Sequence, residues 1–229
     1  MSTSATTLET NRVYPGISAF AWNHDCSLIA VCPGTSRELW IFKTNGTMDT
    51  TKWLRVVTSR EHLNPITGLD WHPTTHLLLS CSSDRGAIVW SYDASTNNLQ
   101  NGLVIIEEPK ANLACEWNHR GDKFVVATAS GNLFIGSYNH DQGFWGSKNL
   151  GGKKPHHKST VLSCSFEKLS GRVVASTSAD CNVYITTCFD ESIDQESNGP
   201  FGQITTFGEV LVKFNCDGWP NMVQFSPSS

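Results

Sequence analysis

Five short segments of the chain share one pattern, in which small or apolar residues alternate with polar ones and an aromatic ring comes last. They are Ile17–Trp22, Ile66–Trp71, Asn112–Trp117, Val161–Phe166 and Pro220–Phe225. This alternation is typical of a β-strand that buries one face. The rings lie 49, 46, 49 and 59 residues apart along the chain. The spacing therefore predicts an internal repeat of one structural unit.

The same order of elements follows each of the first four rings. A polar turn leads to a second strand, predicted at Leu28 to Cys32, Leu77 to Ser82, Lys123 to Thr128 and Arg172 to Thr177. A tight turn leads to a third strand, predicted at Glu38 to Phe42, Ala87 to Ser91, Asn132 to Ser137 and Asn182 to Thr187. A fourth strand is predicted in two repeats, at Trp53 to Thr58 and Leu103 to Glu107. Four strands in about 45 residues form one blade of a β-propeller.

The repeats predict an all-β fold, a WD-repeat β-propeller, and no segment has a helical period. Blades are expected at about 17–58, 66–107, 112–150 and 160–214, with the first strand of a fifth blade at 219–229. Because one blade cannot bury both of its faces alone, residues 1–229 are expected to form a single, partial propeller.

The second blade contains the residue types that hold a WD blade together, namely His62, Ser82, Asp84 and Trp90. In WD repeats the Asp holds the His, the His holds the Ser hydroxyl, and the Ser reaches the indole N–H. Such a network satisfies polar groups that burial would otherwise penalise. A catalytic triad is the alternative, but its serine must face a cleft, and the spacing favours the structural network.

The fourth blade predicts a partial copy of this network. Its members are His157, Ser178 and Asp180, and Ile185 takes the place of the tryptophan.

Composition narrows the function classes. A net charge of −4 without a long Lys/Arg run gives no electrostatic reason to expect nucleic acid or an anionic membrane. No stretch approaches the roughly 20 apolar residues of a membrane span, and the first ten residues lack the apolar core of a secretory signal. The 8 cysteines form no CxxC pair and the histidines are scattered, so no metal or other cofactor is expected.

Two charged loops are candidates for interaction. Lys153, Lys154 and Lys158 form a basic segment between the third and fourth blades, which would dock an acidic segment of a partner. An acidic stretch, Asp190 to Glu196, opens the long connection that runs to Gly208, and such length favours an interaction role. The alternative for both is a solvated loop that keeps the surface soluble.

Several segments carry a resemblance to one WD family. The matching pieces are Ala21–Asn23, Ile29–Pro33, Glu61–His62, Ile66–Trp71, Ser83–Arg85 before Trp90, Lys158–Ser163, Pro200–Gly202, Phe207–Leu211 and Gly218–Trp219 before Phe225–Ser226. The arrangement from Pro200 onward is the most specific, since WD repeats in general do not carry it there. The chain resembles the propeller subunit, subunit 1, of the actin-related protein 2/3 complex.

The resemblance implies a non-catalytic structural subunit that supports nucleation of branched actin filaments in the cytoplasmic actin cytoskeleton. It implies as partners the other subunits of that complex, actin and nucleation-promoting factors, and it implies seven blades. We therefore expect the chain to be truncated at Ser229, with Thr7 to Tyr14 belonging to the final blade of a full propeller.

Two other functions stay open. A generic WD scaffold for another assembly, such as a coat or a ubiquitin-ligase adaptor, shares the repeat. Propeller enzymes need acidic or metal-binding residues that converge on the central channel, and the inner strands offer only Asp70 and Glu116. The binding module is the better prediction.

Overall fold

Four sheets of four antiparallel strands make up most of the chain in the computed structural model, which describes residues 16–34, 36–195, 198–199 and 201–226. In each sheet, strands that follow one another along the chain are also neighbours in the sheet. The fourth sheet differs only in that a short hairpin is inserted before its last strand. Each sheet is a propeller blade, and its first strand is here called the inner strand. Residues Thr7 to Tyr14, expected in a final blade, lie outside the described residues.

The first two blades are built from consecutive strands. Blade 1 consists of β1 Ile17–Trp22, β2 Leu28–Pro33, β3 Leu39–Lys43 and β4 Leu54–Ser59, with one 3-10 turn at Thr50–Lys52. Blade 2 consists of β5 Ile66–Trp71, β6 Leu77–Ser82, β7 Ala87–Asp93 and β8 Asn98–Leu103.

Blade 3 repeats the plan, whereas blade 4 contains an insertion before its last strand. Blade 3 consists of β9 Asn112–Trp117, β10 Phe124–Thr128, β11 Leu133–Asn139 and β12 Phe144–Asn149. Blade 4 consists of β13 Val161–Phe166, β14 Val173–Ser178, β15 Asn182–Cys188 and β18 Phe207–Asn215, and the insertion carries a hairpin of β16 Asn198–Gly199 and β17 Gly202–Gln203.

The core lies between blades. One apolar cluster joins blades 1 and 2 around Leu28, Ile66 and Trp90. A second joins blades 2 and 3 through residues such as Leu79 and Phe124, and a third lies between blades 3 and 4. The second strands of blades 2, 3 and 4 contribute side chains to an apolar cluster on each of their two faces, so they are buried along almost their whole length.

One of the predicted strands is wrong, and another is not formed among the described residues. The fourth strand of blade 2 is Asn98–Leu103 and not Leu103 to Glu107, because a tight turn that contains Asn97 (φ 54°) returns the chain directly against β7. This strand is polar because it lies at the solvated edge of the blade, so hydrophobicity did not reveal it. Residues 219–226 contain no strand, and 227–229 lie outside the described residues.

Blade 4 uses its insertion to cover part of its own surface. Phe189 and Ile204 pack on Val173 of β14, on the face that points away from blade 3, and Phe225 joins them. In the described part of the chain, no helix is long and apolar enough to cross a membrane.

Candidate functional site: the blade networks and the charged loops

A buried hydrogen-bond network occupies one end of blade 2. The Nδ1 of His62 lies 2.9 Å from Asp84 Oδ2, and the His62 Nε2 lies 2.8 Å from the Ser80 Oγ. The indole Nε1 of Trp90 donates to the same Ser80 oxygen at 2.8 Å. The structure thus brings together His62, Asp84 and Trp90, as predicted, but with Ser80 and not Ser82.

Strand register explains the correction. Trp90 lies opposite Leu78 in the β6–β7 ladder, so Ser80 is two residues away along β6 and Ser82 is four residues away. At about 3.3 Å per residue, only the nearer serine is within reach of the indole. Ser82 instead holds the turn, because its hydroxyl donates to the carbonyl of Pro65 at 3.0 Å and accepts from the Asp84 N–H at 3.1 Å.

Blade 4 carries the same arrangement with one substitution. His157 lies 3.2 Å from the Asp180 carboxylate and 2.9 Å from the Ser176 Oγ, so Ser176 takes the role that was predicted for Ser178. Ser178 instead donates to the Ser159 carbonyl at 3.2 Å and accepts from the Asp180 N–H.

The residue that replaces the tryptophan of blade 4 also differs from the prediction. In the β14–β15 ladder Thr186 lies opposite Val174, just as Trp90 lies opposite Leu78 in the β6–β7 ladder. Thr186, and not Ile185, therefore occupies the position of the tryptophan. The Thr186 Oγ1 lies 2.9 Å from His156 Nε2, and the ring of Tyr184 stacks on His157 at 4.3 Å.

Electrostatics keep both network histidines neutral. Burial lowers the pKa of His62 and of His157, while the neighbouring Asp84 and Asp180 only partly oppose that effect. Burial alone would raise the pKa of Asp84, but the N–H groups of Gly86 and Leu63 donate to its carboxylate and bring its pKa below the usual value. A neutral ring with its proton on Nδ1 donates to Asp84 and accepts from the Ser80 hydroxyl, which completes the chain of hydrogen bonds.

A second set of polar contacts joins consecutive blades at their inner strands. In blades 2, 3 and 4 the side chain of the residue before the ring accepts a hydrogen bond from the backbone N–H of the ring residue that follows in the next repeat. Asp70 accepts from Trp117 at 2.7 Å, Glu116 accepts from Phe166 at 3.0 Å, and the Ser165 hydroxyl accepts from Phe225 at 3.4 Å. In the sequence Asp70 and Glu116 indicate only possible acids of the central channel, although their shared place before the ring is the signal for this role.

The last of these contacts locates the end of the described chain. The N–H groups of Val223 and Phe225 point at the hydroxyls of Ser163 and Ser165, so this segment runs beside β13 as β13 runs beside β9. It therefore lies where the predicted fifth inner strand belongs. It lacks a strand ladder because no second strand pairs with it among the described residues.

The acidic stretch of blade 4 is a clasp on blade 3 and not a solvated loop. Asp194 Oδ2 lies 2.5 Å from the Nζ of Lys123, and both side chains are fully buried. The Lys123 ammonium also donates to the Cys188 carbonyl at 3.2 Å, and Asp190 pairs with Lys148 at 2.7 Å. Glu191 is exposed, and Glu196 lies outside the described residues.

The basic segment behaves differently. Lys153, Lys154 and Lys158 are exposed, and within the described ranges no carboxylate forms an ion pair with any of them. The end of the segment is anchored, because His157 N–H donates to Gly131 O at 2.8 Å and Lys158 N–H donates to Asp180 at 2.8 Å. A Cβ on Gly131 would lie 2.4 Å from the His157 carbonyl, so this close approach requires glycine.

Among the described residues, no group of three or more His, Cys, Asp or Glu side chains is arranged to hold a metal ion. Four of the cysteines (Cys32, Cys81, Cys164 and Cys188) are buried. Burial raises the pKa of Cys188 to about 12, which keeps its thiol protonated.

Comparisons with known proteins agree with this geometry. The family model described as "WD domain, G-beta repeat" matches residues 53–91, which cover the last strand of blade 1 and three strands of blade 2. Actin-related protein 2/3 complex subunit 1A-B of Xenopus laevis is 29% identical over 216 residues, 93% of this chain and 55% of the relative. The chain is similar to subunit 1 of the actin-related protein 2/3 complex. The WD-repeat propeller fold and the resemblance that the sequence indicated are both confirmed.

Relatives in other kingdoms show the same likeness. Subunit 1A of Arabidopsis thaliana is 26% identical over 223 residues, 96% of this chain and 56% of the relative. Subunit 1 of Schizosaccharomyces pombe is 26% identical over 177 residues, 77% of this chain and 46% of the relative. The chain thus spans about half the length of the curated relatives it matches.

The first prediction concerns Ser80. Ser80→Ala is expected to lower the free energy of unfolding by about 1–3 kcal/mol, because the buried Trp90 indole and His62 Nε2 both lose their partner. Urea unfolding followed by circular dichroism measures the change. Ser91→Ala, an exposed serine on the neighbouring strand β7, is the control and is expected to be neutral. Equal stability of the two variants would contradict the assigned network.

The second prediction concerns the pH dependence of stability. Burial raises the pKa of Asp70 from 3.8 to about 7, so between these values the folded state holds a proton that the unfolded state releases. Stability therefore falls as pH rises toward 7. Asp70→Asn keeps a carbonyl oxygen for the Trp117 N–H and removes the charge, so its stability relative to the parent chain should rise between pH 5 and pH 8.

The control for this experiment is Asp93→Asn. Hydrogen bonds from Thr96 and Ser95 lower the pKa of the exposed Asp93 to about 2, so it does not titrate between pH 5 and pH 8. Urea unfolding at both pH values checks the difference. A stability difference for Asp70→Asn that does not change with pH would show that this carboxyl is ionised throughout.

Proposed function

We propose that the chain is a non-catalytic structural subunit of an actin-related protein 2/3 complex that supports nucleation of branched actin filaments. The observation that carries the proposal is similarity to relatives named as subunit 1 of that complex over 93% and 96% of this chain, in an animal and a plant. Such coverage includes all four blades, whereas the WD family model alone matches one repeat.

The chemistry of the buried networks supports a structural role. The Ser80 hydroxyl is fully buried and already engaged by Trp90 and His62, so a Ser–His–Asp set of this kind has no substrate cleft in front of its serine. Asp70 and Glu116, the inner-strand acids, are engaged by backbone N–H groups of the next blade. We therefore assign these side chains to blade cohesion.

In this proposal the partners are the other subunits of the complex, actin and nucleation-promoting factors, in the cytoplasmic actin cytoskeleton. The exposed lysines 153, 154 and 158 stand on an anchored loop without intramolecular ion pairs among the described residues. A loop of this kind attracts an acidic segment of a partner, because the positive charge is not neutralised from within the chain. We assign to it the docking of an acidic segment of a nucleation-promoting factor.

Copurification tests the assignment to the complex. The tagged chain is expressed in cells of the organism from which it comes and is purified through its tag. Actin-related proteins and further subunits of the complex are expected to copurify with it and to be identified by mass spectrometry. A tagged WD propeller of a ubiquitin ligase serves as the control. Recovery of coat or ubiquitin-ligase components in place of actin-related proteins would assign the chain to another assembly.

Charge reversal tests the basic loop. The double variant Lys153→Glu and Lys154→Glu is expected to weaken binding of a fluorescently labelled acidic peptide about tenfold at low salt, since two attractions become repulsions. Fluorescence anisotropy measures the affinity. Lys52→Glu, an exposed lysine in the loop at the opposite end of a blade, is the control. Unchanged binding by the double variant would exclude this loop as the docking surface.

A further inference from the structure

A cleft lies at the outer edge of blade 3, away from the networks and from the basic loop. It has a volume of about 970 Å³ and lies between strand β12, the segment that leaves blade 2 and the clasp of blade 4. Its apolar lining includes Ile105, Tyr138, Phe144 and Trp145. Cavities of this size are typical of sites that receive a ligand or a short stretch of a partner.

The packing of blades against one another does not explain why this apolar surface is exposed. Phe20 and Phe214 are exposed on the outward faces of blades 1 and 4, the first and last of the described blades. Ile105 and Tyr138 belong to blades 2 and 3, which have a neighbouring blade on both sides, yet they are 56% and 38% exposed. A cluster of this kind, unlike scattered single residues, marks an interaction surface.

The cleft is held rigidly. The Ile105 N–H donates to the Trp145 carbonyl at 3.0 Å, and the Ser147 hydroxyl donates to the Ile105 carbonyl at 2.7 Å, so the segment leaving blade 2 lies along β12. The Trp145 ring packs against Trp117 at 5.7 Å and against Tyr138 at 5.0 Å. A surface fixed in this way loses little entropy when it binds.

The rim of the cleft carries uncompensated negative charge. Asp190 is paired with Lys148, and Asp122 with Arg120. Asp141, at the rim, forms no ion pair with any of the described residues. A Lys or Arg side chain that entered here would meet the unpaired carboxylate of Asp141, and its charge would also be attracted to the exposed face of an aromatic ring.

We infer that this cleft binds an extended segment of a partner protein in which an apolar side chain is flanked by Lys or Arg. The apolar side chain packs against Ile105 and Tyr138, and a flanking cation meets Asp141. The inference depends on the cleft alone and holds for any assembly to which the chain belongs.

Binding of a model peptide to the full chain tests this site. The probe is a labelled eight-residue peptide of alternating Lys and Leu, and its counterpart alternates Glu and Leu. Fluorescence anisotropy at low salt is expected to give a Kd below about 100 μM for the first peptide and much weaker binding for the second. Ile105→Ser and Asp141→Asn are each expected to weaken binding of the first peptide about fivefold.

Matched controls distinguish the cleft from general attraction to an acidic protein. Leu63→Ser and Asp217→Asn change exposed residues of the same types in loops at the end of the blades that carries the basic segment. All four variants alter exposed side chains, and urea unfolding verifies that each folds like the parent chain. The proposal is overturned if the control variants weaken binding as much as the cleft variants, if both peptides bind equally, or if neither binds.

Discussion

A four-stranded blade has an apolar face on each side, and water is excluded from such a face only when another segment packs against it. Every other feature of this structure depends on that constraint. The apolar clusters lie between blades, the second strands are almost wholly buried, and the inner-strand residues Asp70 and Glu116 direct their carboxylates to the backbone of the following blade. The stabilising contacts are therefore shared between repeats, as expected for a repeat protein.

The same packing decides what the polar residues can do. A serine, a histidine and an aspartate within hydrogen-bond distance have the composition of a catalytic site, but here burial assigns them to cohesion. The Ser80 oxygen accepts from the Trp90 indole, and the His62 ring stays neutral because burial lowers its pKa. Reactivity needs access, and these groups have none. The surfaces that remain for recognition are the loops and the outer edges of the blades.

The repeat period and the alternation of small and polar residues predicted the fold, because each inner strand ends on a ring that must be buried. They did not predict register. Ser80 and Ser82 lie on the same face of β6, as do Ser176 and Ser178 on β14, so only the pairing of Trp90 with Leu78 shows which serine is within reach. The polar strand Asn98–Leu103 and the clasp were also hidden. Edge strands need no hydrophobic pattern, and no local signal connects Lys123 to a carboxylate 71 residues later.

That separation has a consequence for how the protein is made. Lys123 is fully buried, and its ammonium group is neutralised by Asp194, which leaves the ribosome long after blade 3 has emerged. Lys123 lies on the same side of β10 as Val125 and Ala127, the side that faces blade 4. Its ammonium group is held there by Cys188 and Asp194. Packing blade 4 on blade 3 without Asp194 in place would enclose an unpaired positive charge, which is strongly unfavourable. The closing of this interface and the placement of the insertion are therefore coupled through one ion pair.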